Sequence, residues 1–301
     1  MSNNSSSIVA TFLLFSLFGI IMGVAGVNAQ YNYDHVNVTT RVNITNAYPE
    51  ILNLTIDGAA DNFTLSAGST KTLICNATIR DFNGYNDLVN VNATFYYYLN
   101  SSDQNDDGNE HYTNITCNQT ANDGEYLANY TCQFEVEYFA NNGTWSCNVS
   151  VIDNYNFTDS LDNTTYLSAL YALNVTDLID YGNLSVGDTS ANITATVTNF
   201  GNMDINLSVL GYGAAEGDGL GLVCALGDNI SVEHQKYATD VNADWATKTA
   251  LAATGQIMNT TVLRQTDDTT PITQLTYWQL YVPPNPFGVC TGTVRFTATV
   301  P

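Results

Sequence analysis

Oxygen-bearing side chains at alternating positions make Asp103-Gln104-Asn105-Asp106-Asp107-Gly108 a candidate calcium loop, with a glycine where the chain must turn sharply. The match covers only the first half of such a loop. Its twelfth position is Asn114, where a bidentate glutamate would be expected, so the ligand set reads as Asp103, Asn105, Asp107 and Glu110. Calcium is the only cofactor the sequence suggests. The turn Asp81-Phe82-Asn83-Gly84-Tyr85-Asn86-Asp87 offers further carboxylates, although an Asn-Gly turn needs no ion to form. Catalytic constellations are missing from the sequence. His35, His111 and His234 are scattered, and no His-Glu-x-x-His pair, Gly-x-Ser-x-Gly elbow, phosphate loop or dinucleotide fingerprint occurs. The chain therefore reads as non-enzymatic.

Two kinds of covalent chemistry are better supported. Asn-x-Ser/Thr glycan acceptors occur at Asn37, Asn43, Asn53, Asn62, Asn76, Asn92, Asn100, Asn114, Asn118 and Asn129. They continue at Asn142, Asn148, Asn156, Asn163, Asn174, Asn183, Asn192, Asn206, Asn229 and Asn259. This is about three times what composition alone gives. The middle residue is mostly apolar, so in a strand the Asn and the hydroxyl share the wet face while the residue between them enters the core. The second chemistry is disulfide formation, since six cysteines behind an apolar leader point to an oxidising compartment. Cys224 and Cys290, alone in the second half, are expected to pair. For Cys75, Cys117, Cys132 and Cys147 the preferred reading is Cys117–Cys132 across a hairpin and Cys75–Cys147 between sheets. An immunoglobulin-like Cys75–Cys132 bridge beside Trp145 remains the alternative. No Cys-x-x-Cys spacing favours zinc.

Charge narrows the partners. Only 12% of the 301 residues are charged, and 29 Asp+Glu against 7 Lys+Arg give a net charge of -22. A surface so poor in cations repels phosphate backbones and anionic headgroups, which excludes nucleic acid. Apolar content of 45% and 19 tyrosines allow a large core.

The elements that position these groups read as short strands. From Asn129 to Val151 the sequence alternates with period two. Tyr130, Cys132, Phe134, Val136 and Tyr138 face inward, then Trp145, Cys147, Val149 and Val151 after the turn at Asn141-Asn142-Gly143. Residues 35–45 read as another alternating strand, with Val36, Val38, Thr40, Val42 and Ile44 on one face. Residues 241–258 are alanine-rich and suggest a short helix, and the glycine-rich stretch 211–221 reads as a loop. Residues 1–29 read as a signal peptide or membrane anchor, because Ile8 to Val27 carries no charge and Val27-Asn28-Ala29 offers a cleavage position. The expected organisation is all-β: this leader, then two immunoglobulin-like β-sandwich domains in tandem at 30–165 and 166–301.

Residues 140–154, ANNGTWSCNVSVIDN, resemble the last-strand signature of immunoglobulin-like extracellular domains in microbial surface proteins. Residues 179–209 and 276–298 resemble secreted β-sandwich proteins of archaea, a group without an assigned activity. The resemblance implies a cell-surface or extracellular glycoprotein and nothing catalytic. The expected role is structural or adhesive in the cell envelope, with envelope proteins or glycans as partners, self-association through the N-terminal strand, and membrane contact only through an uncleaved leader. The other reading is a module that binds a protein or glycan through loops 211–221 or the Tyr96–Tyr98 face.

Overall fold

The structure is a computed structural model that describes residues 37–57, 62–100, 102 and 104–301. The leader expected at 1–29 lies outside the described residues. The chain divides into two compact units, Met1–Ile44 and Thr45–Pro301.

Residues 37–44 form no strand, and Val38, Val42 and Ile44 are 80%, 76% and 86% exposed. Over the described part of the strand expected at 35–45, residues 37–45, no strand is formed. An alternating apolar segment becomes a strand only when a neighbouring edge supplies its hydrogen bonds and a core takes its side chains.

The first sandwich contains β1 (Glu50–Ile56), β2 (Asn62–Phe63), β3 (Lys71–Arg80), β4 (Leu88–Tyr97), β5 (His111–Asn114), β6 (Asn118–Asp123), β7 (Leu127–Val136), β8 (Gly143–Asp153) and β9 (Thr158–Leu167). One sheet has the order β1-β3-β7-β6 and the other β2-β9-β8-β4-β5. Alternation does what the sequence requires: Tyr130, Cys132, Phe134, Val136, Trp145, Cys147, Val149 and Val151 are all buried in one core. Trp145 is its centre. The ring stacks on Phe95 at 4.8 Å, and its Nε1 donates to the Asn141 carbonyl at 2.7 Å, so the one polar atom of a fully buried indole is satisfied.

The second set of sheets is built from β10 (Leu173–Val175), β11 (Ile193–Asn199), β12 (Ile205–Tyr212), β13 (Leu220–Leu226), β14 (Ile230–Ser231), β15 (Gln235–Ala238), β16 (Thr249–Ala250), β17 (Gln256–Val262), β18 (Thr273–Leu280), β19 (Phe287–Thr291) and β20 (Thr293–Thr299). Sheets β10-β11-β18-β15-β16 and β17-β12-β20 share a core around Trp278, and β14-β13-β19 forms a smaller one. The short helix expected within 241–258 is absent. Turns, β16 and the start of β17 occupy that stretch, because Leu251 is drawn into the core and the buried Lys248 Nζ donates to the Tyr277 carbonyl at 3.1 Å. Alanine's helix propensity is a weak preference beside such tertiary contacts.

Between the two sets of sheets sits Asn202, which is 1% exposed. Its Nδ2 donates to the carbonyls of Ala140 at 3.0 Å and Ser168 at 3.2 Å, and its Oδ1 accepts from the Leu170 N–H at 2.7 Å. A Cβ on the adjoining Gly201 would meet the Leu170 carbonyl oxygen at 2.0 Å, so only glycine allows the chain to pass so close. Tyr138 donates to Gln265, and Arg264 Nη1 to Asn109 Oδ1 at 2.9 Å, across the same junction.

Candidate functional site

Three features bear on function: the expected calcium loop, the covalent groups, and the edges of the second sandwich. In the loop, Asp103 lies outside the described residues and Asn105 is exposed. Asp107 Oδ1 accepts from the Asn109 N–H at 2.8 Å, which closes the turn by itself. Glu110 serves as a hydrogen-bond hub. Its Oε2 accepts from Asn100 Nδ2 at 2.6 Å and its Oε1 from Asn141 Nδ2 at 2.9 Å. Asp106 turns to His111, which is 1% exposed and sits 3.1 Å away through Nδ1. Hydrogen bonds thus already engage the Asp107 and Glu110 carboxylates.

The disulfides are Cys75–Cys147, Cys117–Cys132 and Cys224–Cys290. Cys75 and Cys132 stand opposite each other on paired strands β3 and β7, yet neither bonds the other. Cys75 instead crosses to Cys147 on the facing sheet, and all three of these cysteines are fully buried. Cys224 and Cys290 are direct register partners on β13 and β19.

None of the twenty acceptor asparagines is buried, while the three asparagines buried among the described residues, Asn109, Asn199 and Asn202, all lie outside the motif. Two acceptors face each other. Asn76 pairs with Thr131 and Thr78 with Asn129, so each hydroxyl donates to the opposite Oδ1 at 2.8 Å. Other acceptors are tied through nitrogen: Asn163 Nδ2 donates to the Leu54 carbonyl at 2.8 Å and Asn114 Nδ2 to the Gln133 carbonyl at 2.9 Å.

The edges of the second sandwich are unequal. Strand β20 pairs with β12 on one side, and among the described residues nothing pairs with its other side. Its core-facing residues Val294, Phe296 and Ala298 are only half-buried, whereas Ile205, Leu207 and Val209 on β12 are buried. Strand β10, the edge of the other sheet, touches β20, and its Leu173 and Val175 are half-buried as well. This side of the core is thus closed less completely than the rest. The glycine-rich loop, by contrast, is locked. Asp218 accepts from the N–H groups of Gly213, Ala214, Ala215 and Leu220, and these bonds hold its carboxyl down at about 2. The expected loop starts after Tyr212 and ends before Leu220, since Gly211 and Gly221 belong to β12 and β13. Tyr96 donates to Asp162 Oδ1 at 3.3 Å and stacks on His111, while Tyr98 is exposed.

No family model matches the chain, and no curated protein matches it. Among solved structures, it aligns with the CsuC–CsuE chaperone–tip adhesion subunit pre-assembly complex of archaic chaperone-usher Csu pili of Acinetobacter baumannii. That alignment has 10% identity and TM-score 0.37 over 79% of this chain and 96% of the other. A carbohydrate-binding module of the β-sandwich superfamily aligns with 10% identity and TM-score 0.25 over 85% of this chain and 97% of the other. The C-terminal domain of the AgI/II polypeptide BspA of Streptococcus agalactiae aligns with 11% identity and TM-score 0.23 over 83% and 95%. Overlaps of this size carry no inference about role, and the β-sandwich assignment rests on the sheets themselves.

Proposed function

We propose that the chain is a non-enzymatic extracellular or cell-surface glycoprotein with a structural or adhesive role in the envelope, assembling by lending its N-terminal segment to a neighbouring copy. The observation that carries this reading is a complementary pair: an unpaired, alternating, exposed apolar segment at 37–44, and an open β20 edge with half-exposed core residues. An added strand supplies main-chain hydrogen bonds to an open edge and side chains to the core beneath it. Burying Val38, Val42 and Ile44 contributes roughly 4–9 kcal/mol before ordering costs. The first test is the mass and assembly state of native material before and after deglycosylation, beside a variant lacking residues 31–46. Glycosylated oligomers or filaments that the deletion reduces to monomers are expected. A bare monomer, or assembly that survives the deletion, sinks the reading.

The glycan part makes its own prediction. The attachment atom is Nδ2, so Asn76 and Asn129, whose bonds use Oδ1, are expected to show higher occupancy than Asn163 and Asn114, whose Nδ2 is engaged. Glycopeptide mass spectrometry reads this directly, and the reverse order counts against it.

A second reading, a module that binds a protein or glycan partner, is favoured by one patch. Leu226, Phe287 and Val289 are 59%, 69% and 75% exposed on β13 and β19 beside the Cys224–Cys290 bridge. A monomer with one saturable ligand would support that reading over assembly.

A further inference from the structure

Asp81, Asp87 and Asp153 converge at one corner of the first sandwich, with one carboxylate oxygen from each within 4.8 Å of the others. The convergence comes from strand pairing. Asp81 follows β3, Asp87 precedes β4, and Leu88 is the register partner of Asp153 at the end of β8. Asp81 and Asp153 are 0% and 1% exposed. Asp81 and Asp87 each have protein donors on one carboxylate oxygen, and Asp153 has them on both. Asp81 Oδ1 accepts from the Asn83 N–H at 2.8 Å, and Asp87 Oδ1 from Asn154 Nδ2 at 2.9 Å. Asp153 Oδ1 accepts from the N–H groups of Tyr155 and Phe157, and its Oδ2 from Asn46 Nδ2 at 2.6 Å. The remaining oxygens of Asp81 and Asp87 are buried with no hydrogen-bond partner, as is Asn46 Oδ1.

Among the described residues no side chain of opposite charge neutralises this arrangement: no lysine, arginine or histidine bridges to any of the three, and Arg80 next door is committed to Glu50 at 2.5 Å and to the Phe82 ring. A buried carboxylate with an orphan oxygen beside two like charges is costly unless something neutralises it. Burial and the charges of Asp87 and Asp153 push the Asp81 carboxyl up, against the Asn83 N–H that lowers it, with burial the largest cause. With only oxygen donors and neither histidine nor cysteine, the set suits a hard divalent ion. We infer that Asp81, Asp87 and Asp153, completed by Asn46, form a calcium site that fastens residues 46–51 to the sandwich. The same corner already holds that segment. Ala47 N–H donates to Asn83 Oδ1, Ile51 N–H to Asp159 Oδ2, and Tyr48 stacks on Phe157 at 4.1 Å.

The test is Ca²⁺ added alone to the chelator-stripped full chain, read by Tm and by isothermal titration. The wild type is expected to gain Tm and to bind saturably. Asp87→Asn should weaken binding at least about tenfold, since affinity follows the number of carboxylate ligands, while Asp107→Asn in the other loop leaves it unchanged. Asp81→Asn separates the site from simple packing. Ca²⁺ should no longer raise the Tm of Asp81→Asn, whereas a role in packing alone would leave the wild-type response to Ca²⁺ intact. The inference is overturned if wild type shows no response up to about 10 mM Ca²⁺, beyond the weakest extracellular modules. It is equally overturned if binding follows Asp107 and ignores Asp87, or if Ca²⁺ still raises the Tm of Asp81→Asn.

Discussion

Replacing Cys75 and Cys147 together by alanine is expected to lower the unfolding free energy by about 4 kcal/mol. The bridge closes a 72-residue separation, and the cost of leaving that loop open in the unfolded chain sets the magnitude. Both sulfurs are fully buried in the core around Trp145, so their removal also leaves unfilled space. The corresponding loss for Cys117–Cys132, which spans 15 residues, is about 3 kcal/mol. Against a typical stability of about 5–15 kcal/mol, either loss is large. Denaturant unfolding under non-reducing conditions measures both. A loss below about 1 kcal/mol for Cys75/Cys147 would show that the sheets hold each other without the bridge.

The second large effect concerns assembly and leaves the fold intact. Val38→Asp together with Val42→Asp is expected to abolish association of the purified chain while the Tm stays at the wild-type value. Both side chains are exposed and lie outside the strands, so the folded unit loses no packing. In an added strand each would enter a core, where a valine is worth roughly 1.5–3 kcal/mol and an unpaired carboxylate is strongly unfavourable. Together the two changes should raise the concentration needed for assembly more than about 100-fold. Sedimentation and electron microscopy of the variant read this out, and polymers of unchanged length would rule out the N-terminal segment as the donor.

What could be read from sequence alone depended on contrast between faces. β7 and β8 were legible because Cys, Phe, Val and Trp alternate there with Asn, Thr, Gln, Glu and Ser, and the same phase placed Cys75, Cys132 and Cys147 in the core. β9, with the sequence TDSLDNTTYL, gave no such signal: only Thr165 and Leu167 are buried, and the rest pairs with β8 through backbone that no side-chain pattern records. The alanine-rich stretch misled for the complementary reason, since local propensity was overruled by a buried leucine and a buried lysine from the same stretch. The acidic corner was half visible. Asp81 and Asp87 share one turn, but Asp153 is brought to them only by the β4–β8 register, a long-range fact with no local trace. A carboxylate at the end of each of two strands that pair would have been the signal to seek.

The buried Asn202 latch has a mechanical consequence. Its bonds to Ala140, Ser168 and Leu170, backed by a glycine that admits no larger residue, leave the linker between the two sets of sheets no slack in which to swivel. Bending there would strip three hydrogen bonds from a site closed to water, so the two sets of sheets should move as one stiff piece. If copies assemble as proposed, compliance would be confined to the contacts between them, and a pulling load would be felt at those joints before it reached either core.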